Sequence, residues 1–437
     1  GFLALLTPCV FPMIPLTVSF FSTKNEKAKL YSTSYGLFIV LIYLSLSLPF
    51  YFLENINPEI LNQISTSPIL NFIFFAIFIA FALSLFGLFD ITLPSSWSNT
   101  VDSKSNLYKG LISTFFMSLT LCLVSFSCTG PILGTLLVGT LTSDGGAIDL
   151  TYGMLGFGVA LAIPFTLLAF FPNIINKLPK SGSWTNTIKV ILGFVELALA
   201  FKFLSNVDLI QEWGILKREV FIAIWVLIFI ACGLYLIITS RKTSYIISSL
   251  SFILIGLYMG SSLFTKSTNL SLLSGLLPPE FYSIHNDTNN CPLGLDCVKD
   301  FNDGLNKSKI NNKPILLDFT GWACANCRRV EENTWSVPKV FDLINNEFVL
   351  ISLYVDDRTN LNGDEIILLR DKNGNEKILD KVGEKWSAFQ TLNFQNNSQP
   401  YYVLLSPNLD ILNKPIQYTD TDTYYDWLID GLNKFKN

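Results

Sequence analysis

Charged side chains are scarce in this 437-residue chain: Asp, Glu, Lys and Arg together make up 15% of it, and histidine occurs once, at His285. So little charge excludes an ordinary soluble domain along the whole length. No basic cluster is present either, which excludes a nucleic-acid surface. The chain also lacks an initiator Met and the charged start of a signal peptide, opening at Gly1 inside an apolar run, as expected of a fragment or a processed product. In place of charge stand hydrophobic residues, 50% of the chain, with 36 phenylalanines.

The few charges are unevenly spread. Residues 1–264 hold 13 Lys/Arg and 11 Asp/Glu, whereas residues 265–437 hold 17 and 23. A membrane domain over 1–264 is therefore expected, then a connector over 265–297 rich in Ser, Asn, Leu and Pro, then a soluble acidic domain over 298–437. Eight apolar stretches have the length that a membrane-crossing helix needs, at about 1–21, 35–53, 69–89, 107–140, 151–171, 187–205, 220–239 and 245–264. Lys and Arg concentrate in the loops after the first, third, fifth and seventh stretches, for example Lys24, Lys27, Lys29, Lys104, Lys109, Arg241 and Lys242. Because basic loops stay on the cytoplasmic side, both ends of the chain are expected outside. In a bacterial-type cell that places the soluble domain in the periplasm and the spans in the inner membrane, where disulfides on the outer face persist.

Two similar prints interrupt the apolar runs: Cys9-Val10-Phe11-Pro12 and Cys128-Thr129-Gly130-Pro131, which lie 119 residues apart. Each opens a group of three stretches, so a duplicated and hence inverted three-helix repeat is expected, with its working site where helices are broken in corresponding positions. Pro8, Pro12 and Pro131 remove backbone donors and open the helix beside each sulfur. Cys122 and Cys232 have no such setting and read as small apolar helix residues. Glu196, inside the sixth stretch, either relays a proton or pairs with Lys202.

Downstream, the order of periodicities predicts an α/β thioredoxin-like domain. A polar helix is expected at about 298–309 and a buried strand over 314–319. After Cys324-Ala325-Asn326-Cys327 come a helix to about 336, a helix over 338–346, strands over 348–355 and 401–405, a short strand near 415–418 and a closing helix over 423–435. Between Asp356 and Ser398 lies an insertion, read as a hairpin around Asp371 to Asn375 and a helix over 385–394. A CxxC at a helix start favours the thiolate of Cys324, and Cys327, one turn on, can resolve a mixed disulfide. Zinc is the rival use of a CxxC, but the soluble part offers only His285, Cys291 and Cys297 as further ligands, so no metal site is expected. Asp318 and Glu331 flank the dithiol and are candidates to take the proton of Cys327, while Glu332 reads as a solvated helix charge.

The segments Thr7 to Pro12, Ser127 to Pro131 and Leu317 to Cys327 together resemble the DsbD family of thiol:disulfide interchange proteins, and the membrane part is similar to cytochrome c biogenesis proteins of the CcdA type. The resemblance implies a protein-disulfide reductase without a cofactor. In it, cytoplasmic thioredoxin reduces a Cys9/Cys128 disulfide, electrons pass to Cys324/Cys327, and that pair reduces disulfide-containing periplasmic proteins, possible cytochrome c maturation partners among them. It also implies supporting roles for Asp318, Glu331, Trp322 and Pro400, the last as a cis proline facing the dithiol. Departures from the family are Ser127 where a proline is common, and Cys291 with Cys297, which are expected to close a structural disulfide loop; the amino-terminal periplasmic domain that family members often carry is not among these 437 residues, and their truncated start does not tell whether one precedes them. A secondary transporter of a metal ion or small solute, with the soluble domain as accessory, is the alternative from another class. It gives the CxxC no role and expects more intramembrane acids than Glu196. An oxidase or isomerase would use the same CxxC in the other electron direction.

Overall fold

The computed structural model describes residues 28–52, 66–88, 111–112, 114–119, 121–122, 146–170, 183–239, 243–264, 270, 273–285, 291–370 and 376–436. Cys9 and Cys128, with Pro8, Pro12 and Pro131, lie outside the described residues. The chain forms two compact units, one of residues 1–57, 76–200 and 238–240, the other of residues 58–75, 201–237 and 241–437.

In the first unit, helix α1 (Ala28–Phe52) packs along helix α3 (Gly146–Phe170). Tyr31, Tyr35, Ile39 and Tyr43 recur every fourth residue, which places them on one face of α1, and all four are buried with Met154, Phe157 and Leu161 of α3. Leu37 and Leu41 on other faces are exposed, the arrangement expected where the surroundings are lipid rather than water. Helix α2 (Pro68–Leu85) and helix α4 (Ser183–Ile210) follow the same apolar pattern. The sixth stretch, read as 187–205, is thus extended at both ends.

In the second unit, helix α5 (Arg218–Thr239) and helix α6 (Thr243–Phe264) pack against each other where Gly233 meets Ile253 and Ser249 donates to the Gly233 carbonyl at 2.8 Å. Cys122 of the first unit and Cys232 of α5 are buried and unbonded. Among the described residues, four helical segments are long and apolar enough to cross a membrane, within α1, α2, α5 and α6.

The thioredoxin-like part of the second unit holds a four-stranded sheet in the order β1-β3-β2-β6, made of β1 (Cys297–Val298), β2 (Ile315–Thr320), β3 (Val349–Tyr354) and β6 (Tyr401–Leu405). β1 and β2 run parallel to β3, and β6 runs antiparallel to β2. Every residue of β2 and β3 is buried, because helices cover both faces. The period of two then sorts them. Ile315, Leu317, Phe319, Ile351 and Leu353 pack with Phe301 and Leu305 of helix α7 (Phe301–Asn311) and Trp386 and Phe389 of helix α10 (Val382–Phe394). On the other face Leu316, Leu350, Tyr402 and Leu404 meet Trp335, Val340 and Ile344, the last two on helix α9 (Pro338–Glu347), and Tyr424 and Leu428 of helix α11 (Thr421–Lys436). Fully burying one such side chain is worth roughly 1.5–3 kcal/mol, so these two layers carry the domain. The expected hairpin is β4 (Ile367–Arg370) with β5 (Glu376–Leu379).

Two local expectations are corrected. No strand forms near 415–418; Ile416 makes a single bridge to Tyr402, exchanging both backbone hydrogen bonds with it, and the next rung toward 418 would fall on Pro400, which has no N–H to give. Residues 273–285 are no bare connector. They are folded into turns that bury Leu277 and Phe281, and β1 begins at Cys297, inside the stretch read as connector.

Candidate active site

Parallel β2 and β3 end at the same edge of the sheet, and the CxxC lies on the loop that leaves it. Cys324 is the N-cap of helix α8 (Ala325–Val330), and its sulfur accepts the backbone N–H of Cys327 at 3.1 Å. That is where unpaired amides and the helix dipole favour negative charge on sulfur. The two cysteines form a disulfide with Cα atoms 5.3 Å apart. Cys327 is buried at 1% exposure, whereas Cys324 is half-buried, so an attacking sulfur meets Cys324 first.

The sheet's alternation explains why an acid lies beneath this helix. Asp318 shares the face of Leu316, toward α8, and stands on one rung between Ser352 and Tyr402. Ser352 donates to its carboxylate at 3.1 Å. Burial pushes the Asp318 carboxyl up to about 7, against the opposing effects of that hydrogen bond and of Arg328. Glu331, one turn after Cys327, is also buried and pairs with Arg328 at 2.7 Å. Burial raises it to about 8, with Asp318 adding to the rise and Arg328 opposing it. One buried guanidinium thus faces two carboxyls, both of which burial raises well above the ordinary carboxylate range.

Arg328 itself went unnoticed in the sequence. Burial disfavours its charge, but Glu331, Tyr354, Asp318 and Asp356 more than offset this and raise its pKa. Its guanidinium also donates to the Thr320 hydroxyl at 3.3 Å and the Gly321 carbonyl at 3.2 Å. The available signal was its place directly after Cys327, on a helix whose inward face already carried Glu331. Asp356 was missed too. It follows β3 at the active edge and accepts the N–H groups of Trp322 at 2.7 Å and Ala323 at 3.0 Å, fixing the loop into the CxxC. Gly321 permits this approach, since a Cβ there would meet the Asp356 carboxylate at 2.9 Å.

Trp322 is buried, stacked on Tyr354 with ring centroids 4.0 Å apart, and Lys299 lies over it at 4.8 Å. The Gln399–Pro400 bond is cis, and Pro400 directly precedes Tyr401, whose register partner is Phe319, so Pro400 lies at the same sheet edge as the CxxC loop. Glu332 is not a solvated charge. It is nearly buried and pairs with Arg218 at 3.5 Å. Cys291 and Cys297 form a second disulfide, with Cα atoms 5.8 Å apart, around Leu295, which is buried in the core beneath the sheet.

A thioredoxin-type sheet with a CxxC at its active edge, in a chain that also carries membrane-length helices, defines a membrane protein with a thioredoxin-like redox domain. Residues 1–207 match the family described as cytochrome C biogenesis protein transmembrane domain, and residues 296–407 match a family described as thioredoxin-like. Thiol:disulfide interchange protein DsbD of Campylobacter jejuni is 28% identical over 372 residues, which are 82% of this chain and 61% of that protein. The DsbD of Haemophilus influenzae is 34% identical over 218 residues, 46% of this chain and 35% of its own length. That of Pseudoalteromonas atlantica is 26% identical over 355 residues, with 78% and 56% covered. Over most of its length the chain is similar to these DsbD thiol:disulfide interchange proteins, as its motifs lead one to expect, and it spans about 61% of the length of the first of them.

Proposed function

We propose that the chain is a transmembrane protein-disulfide reductase. The observation that carries this reading is Cys324 at a helix N-terminus, bonded to a buried Cys327 above the Asp318, Arg328 and Glu331 cluster. In the reduced pair, the Cys324 thiolate attacks one sulfur of an acceptor's disulfide and displaces the other as a thiolate. Cys327 gives its proton to the carboxyl cluster and attacks Cys324, closing the disulfide and displacing the acceptor's second sulfur as a thiolate; that proton, released from the cluster, and a second from solvent then make the acceptor a dithiol. Two electrons and two protons reach the acceptor in each cycle, and no metal or cofactor takes part.

Re-reduction is assigned to Cys9 and Cys128 in the membrane half, set in an inverted repeat of three helices within eight spans and opened by Pro8, Pro12 and Pro131. Their electrons come from cytoplasmic thioredoxin. The soluble domain works in the periplasm of a bacterial cell, with the spans in the inner membrane and protein disulfides, cytochrome c maturation partners among them, as acceptors. Trp322 and Pro400 border the dithiol as substrate-contact residues. Cys291 and Cys297 are assigned a structural role, since their loop seats Leu295 in the core. Trapping tests the exchange. With Cys327→Ala, a mixed disulfide through Cys324 accumulates and mass spectrometry identifies the captured protein; its absence under reducing and oxidising regimes alike sinks the reading.

A further inference from the structure

The CxxC loop of this chain is not open on all sides. Phe281 packs edge-on against Trp322 with centroids 5.9 Å apart, and it shares a buried cluster with Leu209, Trp322 and Tyr354. Arg328 lies over the Phe281 ring at 5.3 Å. Gly275, at φ +80°, passes so close to the CxxC helix that a Cβ would meet the Ala325 carbonyl at 2.8 Å, and Ser274 accepts from Asn333 at 3.4 Å. Residues 273–285 therefore lie against the same face that a partner of Cys324 must approach.

Those residues are held firmly from behind. Arg218 donates from its backbone N–H to the Tyr282 carbonyl at 2.9 Å and from its guanidinium to the Pro278 carbonyl at 2.6 Å. Glu219 accepts from Ser283 and from the Ile284 N–H. Asp208, buried at the end of α4, accepts the N–H groups of Ile215 and Leu216 at 3.0 Å and the Tyr282 hydroxyl at 2.8 Å. Within this seat the polar contacts are numerous and short. Across to the thioredoxin-like domain, among the described residues, they are few and long: the Arg218–Glu332 pair at 3.5 Å and the Ser274–Asn333 contact at 3.4 Å, beside the packing of Phe281 on Trp322 and under Arg328. An interface strong on one side and sparse across its seam is built to part at the seam.

We propose that residues 208–219 and 273–285 form a docking seat for the CxxC face of the chain's own thioredoxin-like domain, and that the domain leaves this seat to engage an external disulfide. The seat is read from geometry alone; that its release serves an acceptor rests on the function proposed above. Arg218 is its keystone, joining the turn after α4, the 273–285 segment and Glu332 of the domain. Docked, Trp322 is covered and Cys324 is reachable only from the remaining side. Released, the whole edge is free.

Alkylation of Cys324 tests the seat in the full chain. The reduced protein, in lipid nanodiscs, is treated with a polyethylene-glycol maleimide, and modification of the Cys324 peptide is followed by mass spectrometry. Phe281→Ala, Gly275→Val and Glu332→Arg each raise the rate several-fold, and so does Arg218→Glu. The exchange of charges, Arg218→Glu with Glu332→Arg, returns it toward the starting value, which a merely unfolded chain does not do. Rates unchanged in every single variant overturn the proposal, and so does a charge exchange that remains as fast as its parents. If the seat fails while Cys327→Ala still captures an acceptor, the exchange function stands without it. If the alkylation pattern holds while nothing is captured, the seat stands and the function falls.

Discussion

At the scale of single residues, the proposed chemistry rests on how one cation is shared between acids inside a protein. Removing either partner of a buried pair leaves the other uncompensated, at a cost of about 3–5 kcal/mol when it cannot neutralise itself. Asp318 and Glu331 can neutralise themselves, and their raised pKa values record it. The folded state therefore binds more protons than the unfolded state between the ordinary carboxylate range and about pH 7 to 8. Stability contributed by these acids is fully present below about pH 4 and is lost as the pH rises through those folded values. Asp318→Asn is expected to flatten this decline and to raise stability at pH 8.5 more than at pH 6, by on the order of a few kcal/mol, seen as a higher thermal midpoint. Arg328→Met acts in the opposite sense, destabilising more at pH 8.5 than at pH 6, as scanning calorimetry at the two pH values would record. Asp318 and Glu331 were legible because they flank a CxxC at strand and helix spacing. Arg328 and Asp356 were not, because a charged residue in a helix or loop looks solvated until packing buries it.

At the scale of elements, local signals located most of the thioredoxin-like part. The strands over 315–320 and 401–405, the hairpin and the closing helix lie within a few residues of their expected bounds, because period-two runs and turn residues act over short distances. Helix α7 begins where Asp300 accepts the N–H groups of Asn302 at 2.8 Å and Asp303 at 3.2 Å. Asp300→Ala is expected to cost about 0.5–2 kcal/mol, measurable as a lowered denaturant midpoint with an unchanged slope. The helix read as running from the CxxC to 336 turns out to widen into a π turn over Glu331–Trp335, which brings Glu331, Thr334 and Trp335 all inward. Helical periodicity alone gives no warning of it, since the extra residue is tolerated only because the fully buried Trp335 fills the core below.

At the scale of the whole molecule, the proposed electron route makes a prediction that the soluble part cannot satisfy alone. Cys9→Ala or Cys128→Ala is expected to leave Cys324 and Cys327 oxidised in growing cells, read as loss of the thiol-modified gel shift. Cys122→Ala and Cys232→Ala, both buried helix residues, are expected to leave that shift intact. By itself the sequence determined that a membrane-length helical region precedes an α/β thioredoxin-like domain with a CxxC, because hydropathy, period and motif spacing are local properties of a chain. Only tertiary structure decided that Arg328 lies between two acids, that Glu332 reaches Arg218, and that Phe281 covers Trp322. Each of these depends on segments far apart along the chain arriving at one place, and the free energy that holds them there comes from burial, which no single segment possesses before it folds.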